Sequence, residues 1–251
     1  MMKRQRRQQA IVERLRAGDV QGIGELAEGL GVSEETVRRE LRVLEDAGTI
    51  VRSHGGARLA QIESEGSFAL RLQRNAAAKQ RIAAAVAEQV VEGQTIFIDA
   101  STTGHYVARA LREHRRLTVL TNAVGVATEL GGRNDNRVVL AGGELDYDYL
   151  ACFDASALAH LALFTPALAI MSVESVHRDH GFTDYHIGEA AVCRLLVARS
   201  RRVLMAVDAT KFDRYGTVAV AGFDAVDMIV TDAPPPADYA EALAGIELLV
   251  A

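Results

Sequence analysis

Arg38, Arg39 and Arg42 crowd one short stretch, "SEETVRRELRVLED" at residues 33 to 46, of a chain whose 33 Asp+Glu outnumber its 28 Lys+Arg. Guanidinium groups set this closely can neutralise phosphate or pair with the O6 and N7 edge of guanine. A second set of polar residues stands where apolar runs stop. "TIFIDAST" ends in Asp99, Ser101, Thr102 and Thr103, and "LTVLTNA" in Thr121 and Asn122. "RVVLAGG" ends in Gly142 and Gly143, "RVLMAVDATK" in Asp208, Thr210 and Lys211, and "MIVTDAPPP" in Asp232. Carboxylates, hydroxyls, an amide and bare glycine backbone in such places suit a small polar ligand. No recognisable motif places a nucleophile beside a base.

The arginines need a helix to aim them. Val37, Leu41 and Leu44 recur at i, i+4 and i+7, so they face inward and turn Arg39 and Arg42 outward, with Thr36 and Arg38 on the shoulders. Ser33 caps that helix, and Glu34 and Glu35 stand in its favourable first turn. Before it, Ile23, Leu26, Ala27 and Leu30 mark another helix that Gly31 ends. Earlier still, Ile11, Val12 and Leu15 mark a helix from Arg6 to Ala17. Two helices about a short glycine turn, the second showing Thr and Arg, form the helix-turn-helix pattern. After Gly48, "TIVRSHGGARL" reads as a hairpin with Gly55-Gly56 at its turn and Arg52, His54 and Arg58 around it, a basic wing. "MMKRQRR" adds Arg6 and Arg7 to the same end of the chain. Residues 1–58 carry 11 Lys+Arg against 9 Asp+Glu, whereas the rest carries 17 against 24. A basic head on an acidic body implies that the head meets a polyanion. An isolated arginine pair is ordinarily a solvated helix face; turn, cap and wing together favour DNA.

The strand-end residues need a sheet. Residues 60 to 75 mix Gly, Ser and charge with weak periodicity and are expected to form a hinge. From Ala76, "AKQRIAAAVAEQVVEG" aligns Ile82, Val86 and Val90 on a helix. Apolar β-rich runs then alternate with helical stretches, which implies a mainly parallel sheet covered on both faces. Ligands of such sheets bind outside the carboxyl ends of the strands. Taken singly, these residues could be helix caps or turns; their recurrence at successive strand ends favours a site. The organisation expected is a DNA-binding domain over 1–58, a linker over 59–75 and a sensing domain over 76–251.

"LGVSEETVRRELRVLEDAGTIVRSHGGA" resembles the N-terminal domain of the DeoR family of bacterial transcriptional repressors, matching at Thr36, Arg38, Arg39, Arg52, His54, Gly55, Gly56 and Ala57. Glu40 stands where Asp is commoner. The body is similar to the family's effector-sensing domain at Lys79, Asp99, Thr102–Thr103, Thr121–Asn122, Gly142–Gly143, Glu189, Asp208 and Lys211-Phe212. The resemblance implies an N-terminal winged helix-turn-helix (α+β) and a C-terminal α/β sensor related in fold to ribose-5-phosphate isomerase and glucosamine-6-phosphate deaminase. It also implies repression relieved by a phosphorylated sugar or polyol.

The departures from that family fall at the site. Ser101 replaces a glycine, Asp154 stands about where a glycine follows the Gly-Gly loop, "MSVES" brings in Glu174, and Cys193 replaces a lysine. Glycine lets backbone N–H groups approach phosphate, and lysine supplies countercharge. A carboxylate within about 4 Å of a phosphate charge would cost roughly 4 kcal/mol at intermediate dielectric. The effector expected is therefore not an ordinary sugar phosphate, or the pocket has decayed.

"ESVHRDHGFTDYHIGE" has enough His, Asp and Glu for a metal site, but its spacing matches no finger or zincin pattern. It is expected to be a structural or solvated loop, with an effector-contacting loop as the second reading and a metal site as the last. Cys152 and Cys193 are too few for a disulfide framework. No apolar run approaches membrane-spanning length, and the compartment expected is the cytoplasm. No metal or cofactor is expected.

The reading is of a ligand-responsive repressor that binds double-stranded, palindromic or repeated operator half-sites as a homodimer or larger assembly. It would sense a carbohydrate-derived effector, phosphorylated or not. The alternatives are an isomerase or deaminase with Asp99, Asp208 or Glu189 as general base, and an architectural DNA binder without an effector.

Overall fold

Gly31 makes the turn on which the first unit depends. Its φ of 62° and ψ of 37° are left-handed, which costs glycine little. Its N–H, with that of Val32, closes back onto Ala27 and Glu28 carbonyls. The computed structural model describes residues 7–8, 10–11, 14–15, 21–46, 50–53, 56–59 and 67–251. They fall into two units, Met1–Gly66 and Ser67–Ala251.

In the first unit, helix α1 (Ile23–Leu30) leads through Gly31 to helix α2 (Glu34–Asp46). The Gly22 N–H donates to the Glu25 carboxylate at 2.9 Å, which fastens the start of α1. Ser33 Oγ accepts from Thr36 N–H at 3.3 Å, the cap anticipated for α2. Val37, Leu41 and Leu44 are buried with Leu26, Ala27, Ile11 and Leu15. Val12 lies outside the described residues. The hairpin also forms: strand β2 (Ile50–Ser53) pairs antiparallel with β3 (Gly56–Leu59), from Ile50 opposite Leu59 to Ser53 opposite Gly56. Gly56 therefore opens the returning strand rather than sitting in the turn. A two-residue strand, β1 (Gln21–Gly22), adds to the far side of β3, which the sequence pattern did not suggest.

The second unit starts earlier than its periodicity implied. Residues 68–73, within the expected hinge, are a helix, α3 (Phe68–Gln73), and Arg71 in it is buried. Helix α4 (Ala76–Ala87) follows. The main sheet contains β4 (Thr95–Ile98), β5 (Thr118–Thr121), β6 (Arg137–Leu140), β9 (Leu168–Met171), β12 (Val203–Ala206), β14 (Met228–Thr231) and β15 (Glu247–Val250). Its order is β15-β14-β12-β9-β4-β5-β6, and every pair is parallel.

Alternation along the strands separates two cores. Ile96, Ile98, Leu204 and Val230 pack with Ile82 and Val86 of α4 and with helices α5 (Thr102–Ala110) and α6 (Val124–Leu130). Phe97, Met205 and Ile229 point the other way, to helices α7 (Ala155–Leu161) and α8 (Ile187–Arg199). The sheet is thus covered on both faces.

Two antiparallel additions were not foreseen. β7 (Leu145–Asp146) and β8 (Ala151–Cys152) form a short hairpin after the Gly-Gly loop. β10 (Ser175–His177) and β11 (Gly181–Asp184) pair with β13 (Val218–Ala221) in a three-stranded sheet. The stretch expected as a loop over 174–189 thus carries two short strands and the start of α8, and its apolar members Val176 and Phe182 reach the second core. Gly181, at φ 67°, permits the tight return. Among the described residues, no helix is long and apolar enough to cross a membrane.

Candidate DNA interface and effector site

Helix α2 is anchored by one face and open on the other. Val37 and Leu41 are fully buried, each worth about 1.5–3 kcal/mol of apolar burial, and they hold its rotation. Arg38, Arg39 and Arg42 are exposed as a result, Thr36 is half-buried and Ser33 is exposed at the cap. Thr36 Oγ1 lies 2.9 Å from Ser33 Oγ, so both hydroxyls stay at the first turn. Arg38 Nη2 donates to Glu34 Oε2, one turn earlier, at 2.9 Å. Arg52 lies on β2 and Gly56 opens β3. Arg6, His54 and Gly55, also expected at DNA, lie outside the described residues.

Arg7 is placed differently from the expectation. Its Nη2 pairs with Glu40 Oε1 at 2.5 Å, while Gln8 donates to the other oxygen at 2.8 Å. Glu40 is 3% exposed, and a carboxylate that deep in the unit requires a facing cation. Arg7 is thus engaged, with Gln8, in fastening the start of the chain to Glu40 of α2.

At the carboxyl ends of the parallel strands, Asp99 joins two neighbours. Oδ1 accepts from Ser101 Oγ at 2.6 Å and Ser101 N–H at 3.2 Å; Oδ2 accepts from Ser172 N–H, beyond β9, at 2.7 Å. Burial nevertheless raises its pKa to about 6, against the pull of those hydrogen bonds. Ser101 caps α5 through Gly104 N–H at 2.8 Å. Thr102 and Thr103 are buried in that helix's first turn. Lys79 reaches Thr102 Oγ1 and the Arg71 carbonyl, and burial, followed by the nearby Lys211, lowers its pKa to about 8.

Asp208 accepts from Thr210 N–H at 3.1 Å and Asn75 Nδ2 at 3.2 Å. Lys211 Nζ lies 2.5 Å from Glu174 Oε1. Glu189 occupies the first turn of α8, its N–H donating to His186 Nδ1 at 3.0 Å. These groups feel one another. Lys211, Asp208 and Glu174 act on Lys79, while Asp99, Asp184 and Glu189 all act to raise the buried Cys193 thiol.

The remaining predicted residues gather around the Gly-Gly loop. Thr121 Oγ1 accepts from Ala123 N–H, and Asn122 Nδ2 donates to the Cys152 carbonyl, both at 3.1 Å. Asn122 is fully buried, and its Oδ1 has no hydrogen-bond partner. Asp154 caps α7 through Ala157 N–H at 3.0 Å and also takes Glu144 N–H at 3.3 Å. Gly142 and Gly143 are exposed. A Cβ at Gly143 would stand 2.0 Å from Asp154 Oδ1, so the glycine admits the carboxylate.

Three neighbours escaped the sequence reading as site residues. Asp184, in the sequence one of the His, Asp and Glu residues of the 174–189 stretch, is 2% exposed and accepts from Tyr185 and His186 N–H. Ser172 and Asn75 are tied to Asp99 and Asp208 only by the fold. No spacing in the chain signals either contact.

An exposed arginine helix on one unit and a polar cluster along a parallel sheet on the other define a DNA-binding regulator with a sensor. Residues 7–63 match the DeoR-like helix-turn-helix domain, and residues 74–233 match the DeoR C terminal sensor domain. The chain belongs to the DeoR family of transcriptional repressors. It is 34% identical over 242 residues to the "Glycerol-3-phosphate regulon repressor" of Escherichia coli (strain K12), covering 96% of each chain. It is 35% identical to the "HTH-type transcriptional repressor CsqR" of the same organism, over 86% of this chain and 82% of that one. A ribose 5-phosphate isomerase from Plasmodium falciparum aligns over 55% of this chain and 54% of its own, at 11% identity and a TM-score of 0.40, too slight a likeness to argue from. The relatives are regulators, and this chain is a regulator, not an enzyme.

Proposed function

We propose that this repressor acts in the cytoplasm on double-stranded operator DNA as a homodimer or larger assembly, through α2 and the β2–β3 wing, and that a sugar- or polyol-derived effector modulates its grip. The observation that carries this is the opposed burial of α2, whose apolar stripe is sealed while Arg38, Arg39 and Arg42 stand in solvent. Each half-site of a palindrome would take one α2, with half-site centres about 34 Å apart or a multiple of that. The assigned contacts are Arg38, Arg39, Arg42, Thr36 and Ser33 on α2, with Arg52, His54, Gly55 and Gly56 of the wing and Arg6. Operator binding of the full chain with Arg39→Ala tests the assignment. Loss of sequence-specific affinity with unchanged melting supports it, and unchanged affinity rejects it.

The effector site comprises Asp99, Ser101, Thr102, Thr103, Thr121, Asn122, Gly142, Gly143, Asp154, Glu174, Glu189, Asp208 and Lys211. Its charge argues against a phosphate ligand. Glu174 already faces Lys211, Lys79 is held between two oxygens, and Asp154 accepts N–H groups beside the Gly-Gly loop. A phosphate would have to displace the Glu174 carboxylate to gain Lys211 as countercharge. An uncharged sugar or polyol needs only hydroxyl donors and acceptors, which Asp, Thr and Asn provide. Thermal shift with glycerol, glycerol 3-phosphate, free hexoses and hexose phosphates distinguishes the two; a shift of several degrees with a phosphorylated compound alone would reject the uncharged class.

A further inference from the structure

Of the two acidic residues in the exposed first turn of α2, Glu34 is hard to explain by stability alone. Glu34, Arg38 and Arg42 follow one another at four-residue spacing, so the carboxylate shares the stripe of two arginines. Glu34 Oε2 accepts from Arg38 Nη2 at 2.9 Å, with the two side chains 52% and 48% exposed. On its other side, Glu34 Oε1 lies within ordinary contact of the position a Cβ on Gly24 of α1 would take, at 3.7 Å. Gly24 carries no side chain to meet it, so the carboxylate stands near the first turn of α1 and is held by the Arg38 guanidinium.

An exposed pair at this spacing adds little to folding. The start of α2 is served without it, because Ser33 takes the Thr36 N–H and Glu35 supplies a first-turn acid. Against DNA, a carboxylate here repels phosphate and weakens sequence-independent binding. What it does supply is orientation. One edge of the guanidinium is engaged, so the remaining N–H groups are presented in a restricted direction, as bidentate pairing with guanine O6 and N7 requires.

Resting on the reading of α2 as the recognition helix, we propose that Glu34 is a specificity-determining positioning residue, which holds Arg38 on a guanine and discourages it from settling on the phosphate backbone. A freed Arg38 finds phosphates at any sequence; a tethered one binds well only where guanine meets it. Glu34 therefore lowers affinity for arbitrary DNA while sharpening choice at one base pair.

The test is selection of the full-length native chain, Glu34→Ala, Glu34→Gln and Arg38→Ala from a random-sequence duplex library, followed by binding to the selected and a scrambled duplex. The native chain should enrich a G·C pair that Arg38→Ala no longer enriches. Glu34→Ala should lose the same preference, its discrimination falling from about tenfold to threefold or less, while its affinity for the scrambled duplex rises about threefold. Glu34→Gln, which keeps an acceptor, should retain part of the preference. A merely structural role would shift melting and leave base choice alone. If Glu34→Ala selects the native motif with native discrimination while Arg38→Ala does not, the proposal is overturned and the recognition helix stands. If Arg38→Ala also selects the native motif, the helix assignment fails and the proposal falls with it.

Discussion

Lys79 Nζ stands 2.8 Å from Thr102 Oγ1 and 2.8 Å from the Arg71 carbonyl oxygen. One buried ammonium on α4 thus ties the first turn of α5, where the candidate site lies, to α3, the first helix after residues 60–66. Arg71 makes a second attachment, with its guanidinium 4.2 Å from the Tyr149 ring and Nη2 donating to the Asp148 carbonyl at 3.2 Å. Tyr149 in turn stacks on His186, the cap of α8. Residues 68–73, the helical part of the stretch expected as a hinge, are therefore fastened to segments carrying Thr102 and Glu189.

Lys79 should titrate near pH 8 rather than 10.5, since burial and then Lys211 disfavour its charge, partly offset by Asp208 and Glu174. The folded chain releases this proton before the unfolded chain does. Between about pH 8 and 10.5 the unfolded state binds more protons, so this residue makes folded stability rise with pH across that window. Urea midpoints of the native chain and Lys79→Met, compared from pH 7 to 10.5, should move in the native chain's favour as pH rises; a pH-independent difference would contradict the shift.

Asp99 shows the opposite sign. Its pKa of about 6 exceeds the ordinary 3.8, so the folded state holds the proton more tightly. The associated stabilisation is fully present below about pH 4 and is lost as pH rises through 6. The carboxyl carbon resonance of Asp99, assigned by its absence from Asp99→Asn, should titrate with a midpoint near 6. A midpoint below 4 would mean that Ser101 and Ser172 outweigh burial.

Arg7→Ala should act through folding. Removing the cation that faces the buried Glu40 is expected to cost about 3 kcal/mol, with operator binding lost in step with structure. Arg39→Ala, on the exposed face, should melt like the native chain and still fail to bind. Circular dichroism melting beside fluorescence anisotropy separates the two. A folded but non-binding Arg7→Ala would return Arg7 to the DNA face.

Gly143→Ala should destabilise the second unit by about 1–3 kcal/mol, because its Cβ would collide with the capping carboxylate of Asp154. Asp154→Ala removes both the cap and the obstacle. The double variant should therefore be less destabilised than the sum of the two single variants. Strict additivity in denaturant midpoints would show that the loop yields elsewhere.

Helix α2 was legible because its evidence is local. Cap, first-turn acids and apolar stripe fall within fourteen residues, and the face they bury dictates the face they show. The parallel sheet was legible for a similar reason, since strands sealed on both sides read as unbroken apolar runs. The β10–β11 hairpin was not. Its residues are mostly His, Asp, Arg and Thr, and only Val176 and Phe182 commit it to the core. Helix α3 was hidden in the same way, because its anchors are polar or amphipathic: Arg71 itself, Lys79 eight residues on, and the distant Asp148 and Tyr149.

Sequence alone determined the two-part organisation, the exposure of Arg38, Arg39 and Arg42, and the end of the sheet at which polar groups collect, because periodicity and capping act over a few turns of chain. Tertiary structure decided which charges are already matched. Arg7 with Glu40 and Lys211 with Glu174 meet across 33 and 37 residues. Charge pairing depends on distance in space, and only the packed chain sets that distance.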